Sequence, residues 1–284
     1  TNADAVADVE FVFLALPHGH SAAITADLDP AQKVVDLGAD HRLTDSSDWD
    51  HFYGPSASAE PWTYGLPELP GRAQLVASST KVANPGCYAT AIQLSAAPLL
   101  SNGLGKPTDI VVVAASGTSG AGRQASIATS ATEVMGSMSA YKVGGTHQHI
   151  AEVRQELSAI AEQPVQLSFT PLLAPMPRGI LSTTTVQVAD SVTSEQLRNA
   201  FDAAYGDSPF VHLLPPGQWP TTAATGGTNC VHIQVALDES ANRAVVVAAI
   251  DNLGKGAAGQ AVQNANLMFG LEPDLGLATA AVAP

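Results

Sequence analysis

Val9-Glu10-Phe11-Val12-Phe13-Leu14-Ala15-Leu16 runs directly into Pro17-His18-Gly19-His20-Ser21. A short apolar run stopped by proline and glycine reads as a buried strand that opens into a loop. Ala22–Leu28 then has helical character, and Lys33-Val34-Val35-Asp36-Leu37-Gly38 is a second buried strand. Strand, helix, strand in this rhythm predicts a parallel sheet with crossover helices.

Working outward, residues 40–80 are punctuated by Tyr53-Gly54-Pro55, Tyr64-Gly65-Leu66-Pro67 and Pro70-Gly71, and no periodicity survives there. A long segment without elements is usually functional, often one wall of a cleft. Val82-Ala83-Asn84 is a short strand leading to Pro85-Gly86-Cys87, and Tyr88–Leu100 follows as a mostly apolar helix that Pro98 should end or kink. Asp109–Ala115 is a further buried strand that opens into Ser116-Gly117-Thr118-Ser119-Gly120-Ala121-Gly122-Arg123. His149–Ile160 places Ile150, Val153, Leu157 and Ile160 on one helical face. Leu167–Pro171, Gly179–Val188, Cys230–Leu237 and Arg243–Ile250 have strand character and suggest an antiparallel sheet. Ser194–Tyr205 is a helix with a serine N-cap, and Lys255–Phe269 is the last helix. The expectation is a partial α/β nucleotide-type domain followed by an α+β domain with a largely antiparallel sheet.

The 284 residues suffice for one large or two medium domains, and 45% hydrophobic content supplies a sizeable core. Aromatics are only 5%, so that core rests on Ala, Val, Leu and Ile. Net charge is −14, from 12 basic against 26 acidic residues. Such a balance opposes general binding to nucleic acid or anionic lipid, so neither is an expected partner. A small anionic substrate stays open, because a few local arginines override the global field. The longest apolar runs, Ile110–Ala115 and Ala244–Ile250, are strand-length, and the opening Thr-Asn-Ala-Asp is no secretory signal. Two cysteines make no disulfide framework. A cytoplasmic protein is the default expectation. The first residue is Thr1 and Phe11 already lies in a strand, which reads as a chain whose beginning is missing.

Cys87 is the candidate nucleophile. It follows a strand and a Pro-Gly turn and opens a helix, where positive dipole and free N–H groups lower a thiol pKa. The same N–H groups can hold the oxyanion of a tetrahedral intermediate. The plain alternative is a buried structural cysteine, the reading that Cys230, inside an apolar strand, receives. His147-Gln148-His149 stands just before a helix carrying Glu152 and Arg154 and offers acid/base groups near neutrality, against the alternative of two exposed loop histidines. No Cys or acidic group stands at metal-ligand spacing from this pair, so no metal site is expected. His18 and His20 read as cleft-wall or structural. Ser116–Arg123 offers flexible N–H groups but neither a Walker loop nor a dinucleotide fingerprint. Arg178, just before a strand, can take a carboxylate or phosphate bidentately, with Arg123 and Arg154 as rivals.

Together, Phe13–Ser21, Asp36–Leu43, Tyr64–Leu69, Asn84-Pro85-Gly86-Cys87-Tyr88, Ser116–Arg123, His147-Gln148-His149, Pro177–Leu181 and Asp251-Asn252-Leu253 resemble the N-acetyl-gamma-glutamyl-phosphate reductase family, in order and over almost the whole chain. The resemblance implies that Cys87 attacks an acyl phosphate, expels phosphate and carries a thioester that NADPH reduces to a semialdehyde. His149 is then the first choice for acid/base work and His147 the second. Arg178, with Arg123 in reserve, and Tyr141 and Glu152 form the substrate set. Ser116, Gly117, Ser119, Gly120 and Asn252 line the nicotinamide pocket, with Pro17 and His18 nearby. The implied architecture is a partial Rossmann-type domain, residues 1–86 and 252–284, around a catalytic and dimerisation domain, residues 87–251. Family members usually self-associate, so a homo-oligomer is expected.

Two departures stand out. The family's opening strand and glycine-rich turn, which grips the cofactor pyrophosphate, has no counterpart in these residues. Ile150-Ala151-Glu152 replaces the family's Thr-Pro-Glu. The rival readings are an aspartate-semialdehyde dehydrogenase, a reductase of a longer carrier-bound substrate, and a non-catalytic scaffold that kept the fold.

Overall fold

A computed structural model describes residues 6–54, 59–122 and 126–281. The chain opens with β1 (Phe11–Leu14), α1 (Ser21–Thr25), β2 (Lys33–Asp36), α2 (Ser46–Tyr53), β3 (Thr63–Tyr64), α3 (Arg72–Ser78) and β4 (Lys81–Ala83). These strands form a sheet of order β1-β2-β4-β3 in which every pairing is parallel. The segment 40–80, read from the sequence as free of elements, holds α2, β3 and α3. Asp45 starts α2 by accepting the Ser47 N–H at 2.8 Å, and Trp49 supplies its buried contact. One buried aromatic in a polar octapeptide leaves no apolar period to detect.

The second unit contains α4 (Cys87–Ser101), β5 (Gly105–Ser116), α5 (Ala131–Val134), β6 (Ser139–Ala140), α6 (His149–Ala161), β7 (Leu167–Leu173), β8 (Ile180–Val188), α7 (Ser194–Tyr205), β9 (Val211–Leu213), β10 (Val231–Asp238) and β11 (Arg243–Ile250). Their sheet has order β6-β7-β5-β8-β11-β10-β9. It is antiparallel except where β5 pairs with β7 and β10 with β9. Helices α4, α6 and α7 pack on the face presenting Ile110, Val112, Val186, Val246 and Ile233, and these residues form the main core. On the opposite face Val111 and Val113 are exposed, flanked in register by Thr185 and Thr183 of β8.

Three local expectations need correction. Pro98 neither ends nor interrupts α4, which continues to Ser101. A proline there removes the bond to the carbonyl of Leu94, and the Tyr205 hydroxyl donates to that oxygen at 2.8 Å instead. Helix α7 is capped by Thr193 rather than by serine: its side chain takes the Gln196 N–H and Gln196 returns a bond to the Thr193 N–H. The last helix is not continuous. A π-helical turn, Gly254–Ala258, precedes α8 (Gly259–Met268). Helix α8 lies against the first sheet, where Ala261 and Met268 join Val35, Val76 and Val82 in a second cluster.

Candidate active site

Strand β4 hands the chain through Asn84-Pro85-Gly86 to Cys87, the first residue of α4, and no side chain caps this N-terminus. The turn is held from three sides. The Gly86 N–H donates to Glu152 Oε2 at 3.0 Å, and Asn84 Nδ2 donates to the Ala257 carbonyl at 3.1 Å. A Cβ on Gly86 would lie 2.5 Å from His149 Nε2, and one on Gly256 would lie 2.7 Å from Cys87 Cβ. Glycine at both positions lets the imidazole and the π-helical turn close directly on the cysteine.

Glu152 is fully buried in α6. It also accepts from Arg42 Nη1 at 2.9 Å and from the Tyr64 hydroxyl at 3.0 Å. Burial would lower the affinity of Arg42 for its proton; the adjacent Glu152 carboxylate outweighs this and raises it. The sequence reading gave Glu152 to the substrate, whereas the structure sets it beneath the cysteine turn, outside the cavity lining.

His149 begins α6, and its N–H donates to His147 Nδ1 at 3.2 Å, so the proton of neutral His147 sits on Nε2. Both histidines are buried rather than exposed loop residues, with ring centroids 4.8 Å apart. Tyr88 and Phe169 present edges to the His147 ring at 5.3 and 5.2 Å. Burial, then neighbouring His149 and Lys142, pushes His147 down to about 2. Burial, then the Arg42 guanidinium, holds His149 well below its ordinary value. Burial also pushes the Cys87 thiol up to about 11, overriding the lowering by the helix N–H groups. The free site thus holds a neutral thiol and neutral imidazoles, contrary to the lowered thiol pKa expected from helix position alone.

A cavity of about 570 Å³ gathers Cys87, His147, His149, Tyr141, His18, Ser116, Gly117, Ser119, Gly120 and Asn252. Pro17 lies outside its lining, and Arg123 falls outside the described residues. Arg178 is also absent from the lining: its guanidinium meets Asp251 Oδ2 at 2.9 Å. Asp251 in turn accepts the N–H groups of Gly227, Leu253 and Gly254. Arg154 reaches out to Asp48 at 2.5 Å. Sequence reasoning passed over Arg42 and Lys142, which do line the cavity. Arg42 stood inside the quoted Asp40-His41-Arg42-Leu43 segment, and Lys142 directly follows Tyr141.

The glycine-rich wall fits the nicotinamide end of a dinucleotide. Asn252 Oδ1 accepts the Gly179 N–H at 2.7 Å and its Nδ2 donates to Ser119 Oγ at 3.0 Å, which fixes the loop after β5. Gly120 lets the loop close on the buried Ser116 Oγ, since a Cβ there would lie 2.8 Å from it. A flat ring can be received along such a backbone wall.

Residues 1–77 match the model of the semialdehyde dehydrogenase NAD binding domain, and residues 87–252 match that of the semialdehyde dehydrogenase dimerisation domain. In class, then, this is a semialdehyde dehydrogenase with a nicotinamide cofactor. The N-acetyl-gamma-glutamyl-phosphate reductase of Acidothermus cellulolyticus is 56% identical over 100% of this chain and 82% of its own length. That of Streptomyces avermitilis is 52% identical over the same shares, 100% and 82%. The chain belongs to the N-acetyl-gamma-glutamyl-phosphate reductase family. Among solved structures, aspartate semialdehyde dehydrogenase from Francisella tularensis has a TM-score of 0.69 at 14% identity, covering 94% of this chain and 84% of that one. The Candida albicans enzyme with NADP has a TM-score of 0.64 at 14% identity, covering 92% and 78%. At these identities the likeness establishes the shared fold.

Proposed function

We propose that this chain reduces N-acetyl-gamma-glutamyl phosphate to N-acetylglutamate semialdehyde, with Cys87 as nucleophile and NADPH as reductant. The observation that carries the reading is the placement of Cys87: a half-buried thiol on an uncapped helix N-terminus, facing the cavity, with His149 seated on the preceding glycine. Sulfur attacks the acyl carbon, the carbon–oxygen bond to phosphate breaks, and a thioester remains on Cys87. His149 takes the thiol proton, and His147, bonded to its backbone N–H, is the second choice. The free N–H groups of the first turn of α4 face the oxygen on which charge develops. An arriving acyl phosphate brings negative charge beside both imidazoles and raises their proton affinity, the change that lets a neutral site become reactive. NADPH, when bound, would supply the hydride to the thioester carbon; the carbon–sulfur bond then breaks, the semialdehyde leaves, and the imidazole returns its proton to Cys87. Ser116, Gly117, Ser119, Gly120 and Asn252 would hold its nicotinamide, with His18 also on the cavity lining.

Residues 1–86 with 252–284 make up the cofactor unit in this reading, supported by the packing of α8 on the first sheet, and residues 87–251 make up the catalytic unit. The exposed face around Val111 and Val113 lies within the segment matching a dimerisation domain, and we assign it to contact with a second copy. The function is tested by phosphate-dependent reduction of NADP with N-acetylglutamate semialdehyde, run beside aspartate semialdehyde and a Cys87→Ser variant. Turnover of the acetylated substrate that vanishes in the variant is expected. Preference for aspartate semialdehyde, or activity surviving in Cys87→Ser, would overturn the reading.

A further inference from the structure

Among the described residues the cavity lining includes two basic side chains of the Lys/Arg type, Arg42 and Lys142. Arg42 is engaged: its guanidinium donates to Glu152 at 2.9 Å and to the Leu37 carbonyl at 2.7 Å, with the side chain 4% exposed. Lys142 is exposed, and its ammonium donates to Gln148 Oε1 at 2.6 Å. A neutral amide is a weak partner for an ammonium, readily exchanged for an anionic oxygen.

The backbone under this lysine is unusual. Lys142 has φ 44°, in the left-handed region. A non-glycine residue there is disfavoured by about 1 kcal/mol or more. Glycine would occupy it freely, as Gly144 and Gly145 do immediately afterwards at φ 73° and 83°. The strained backbone thus carries a long, exposed cationic side chain on the cavity lining. Its neighbour Tyr141 bonds the Tyr88 hydroxyl at 3.0 Å, and Tyr88 follows Cys87 in α4. Lys142 is thereby tied through two tyrosines to the start of the cysteine helix.

We propose that Lys142 is the residue that anchors an oxyanion of the substrate, a phosphoryl or carboxylate oxygen displacing Gln148 from the ammonium. The inference rests on the acyl-phosphate reading above and adds the cation that the sequence reading sought in Arg178 and Arg123. It also links binding to proton transfer. The Lys142 charge depresses proton affinity at both His147 and His149. An oxyanion on the ammonium offsets that charge just when an imidazole must accept a proton.

The test uses Lys142→Met and Lys142→Gly in the aldehyde-oxidising direction, where semialdehyde and inorganic phosphate are separate substrates. Loss of one charge-assisted contact should raise one KM by about 10- to 100-fold while the KM for NADP stays level. A rise for phosphate identifies the phosphoryl oxygen as the anchored group, and a rise for semialdehyde identifies the carboxylate. Lys142→Gly should raise Tm while showing the same KM defect, which a purely structural lysine would not do. Both KM values within twofold of the parent would overturn the proposal. A second readout is independent of turnover: inorganic phosphate or N-acetylglutamate should slow alkylation of Cys87 by iodoacetamide in the parent and not in Lys142→Met. Should the parent fail to turn over the acetylated substrate, the reductase reading falls and this protection assay still decides the anchor. Equal protection in parent and variant, or none in the parent, would overturn it.

Discussion

Replacing Glu152 by Gln keeps the side-chain volume and removes one charge from a site with no solvent. The carboxylate serves the Arg42 guanidinium at 2.9 Å, the Tyr64 hydroxyl at 3.0 Å and the Gly86 N–H at 3.0 Å. An amide cannot accept from all three, because one of its ends is itself a donor. Removing one partner of a buried ion pair typically costs about 3–5 kcal/mol, since the remaining charge is left unpaired. For 284 residues that corresponds to a fall in Tm of roughly 5–8 °C. High salt should not rescue it, as a buried pair is poorly screened. Thermal and urea unfolding of the parent, Glu152→Gln, Arg42→Met and the double variant should show a coupling of at least about 2 kcal/mol. Because Glu152 holds the turn before Cys87, thiol alkylation in the variant should also change rate. A Tm within about 2 °C of the parent, with alkylation unchanged, would refute the claim that this carboxylate fixes the cysteine turn.

Gly86→Ala places a methyl 2.5 Å from His149 Nε2, so the imidazole must shift; kcat should drop by about 100-fold with little change in urea midpoint. An unchanged kcat would mean that the imidazole position is not critical. The unfolded chain binds a proton on His147 near 6.5, whereas the folded chain refuses it until about 2. Stability is therefore complete above 6.5 and lost on acidification by about 1.4 kcal/mol per pH unit for this imidazole, with His149 acting in the same direction. Urea midpoints from pH 7.5 to 5 should fall accordingly, less steeply in His147→Asn, and a flat profile would contradict the buried neutral assignment. Val113→Arg charges the centre of the exposed sheet face and should convert a dimer to monomer in sedimentation while leaving the fold intact; a variant that still dimerises would place the contact elsewhere.

Much of this was legible because the apolar runs of β1, β2, β5 and β11 are long enough to declare themselves, and glycine and proline mark their ends. The cysteine turn was legible as a local pattern, since strand, Pro-Gly and helix follow within a few residues. The supporting shell was not. Glu152 meets Gly86 across 66 positions and Arg42 meets Glu152 across 110, and no local period encodes such pairings. Arg178 shows the same limit: its place before β8 was visible in the sequence, whereas its pairing with Asp251, 73 residues on, was not. Thiol acidity failed for a related reason, because a helix N-terminus is visible in sequence while the burial that opposes it is not.

Pro98 and Tyr205 are coupled through the Leu94 carbonyl, so the cost of changing either depends on the other. With alanine at position 98 the Leu94 carbonyl has its own helical donor, and position 205 is free to lose its hydroxyl. With proline there, the tyrosine supplies the donor at 2.8 Å. Loss of the hydroxyl should therefore cost more with proline at position 98 than with alanine there. Relatives carrying proline at the equivalent of 98 without a hydroxyl opposite should be rarer than any of the other three combinations.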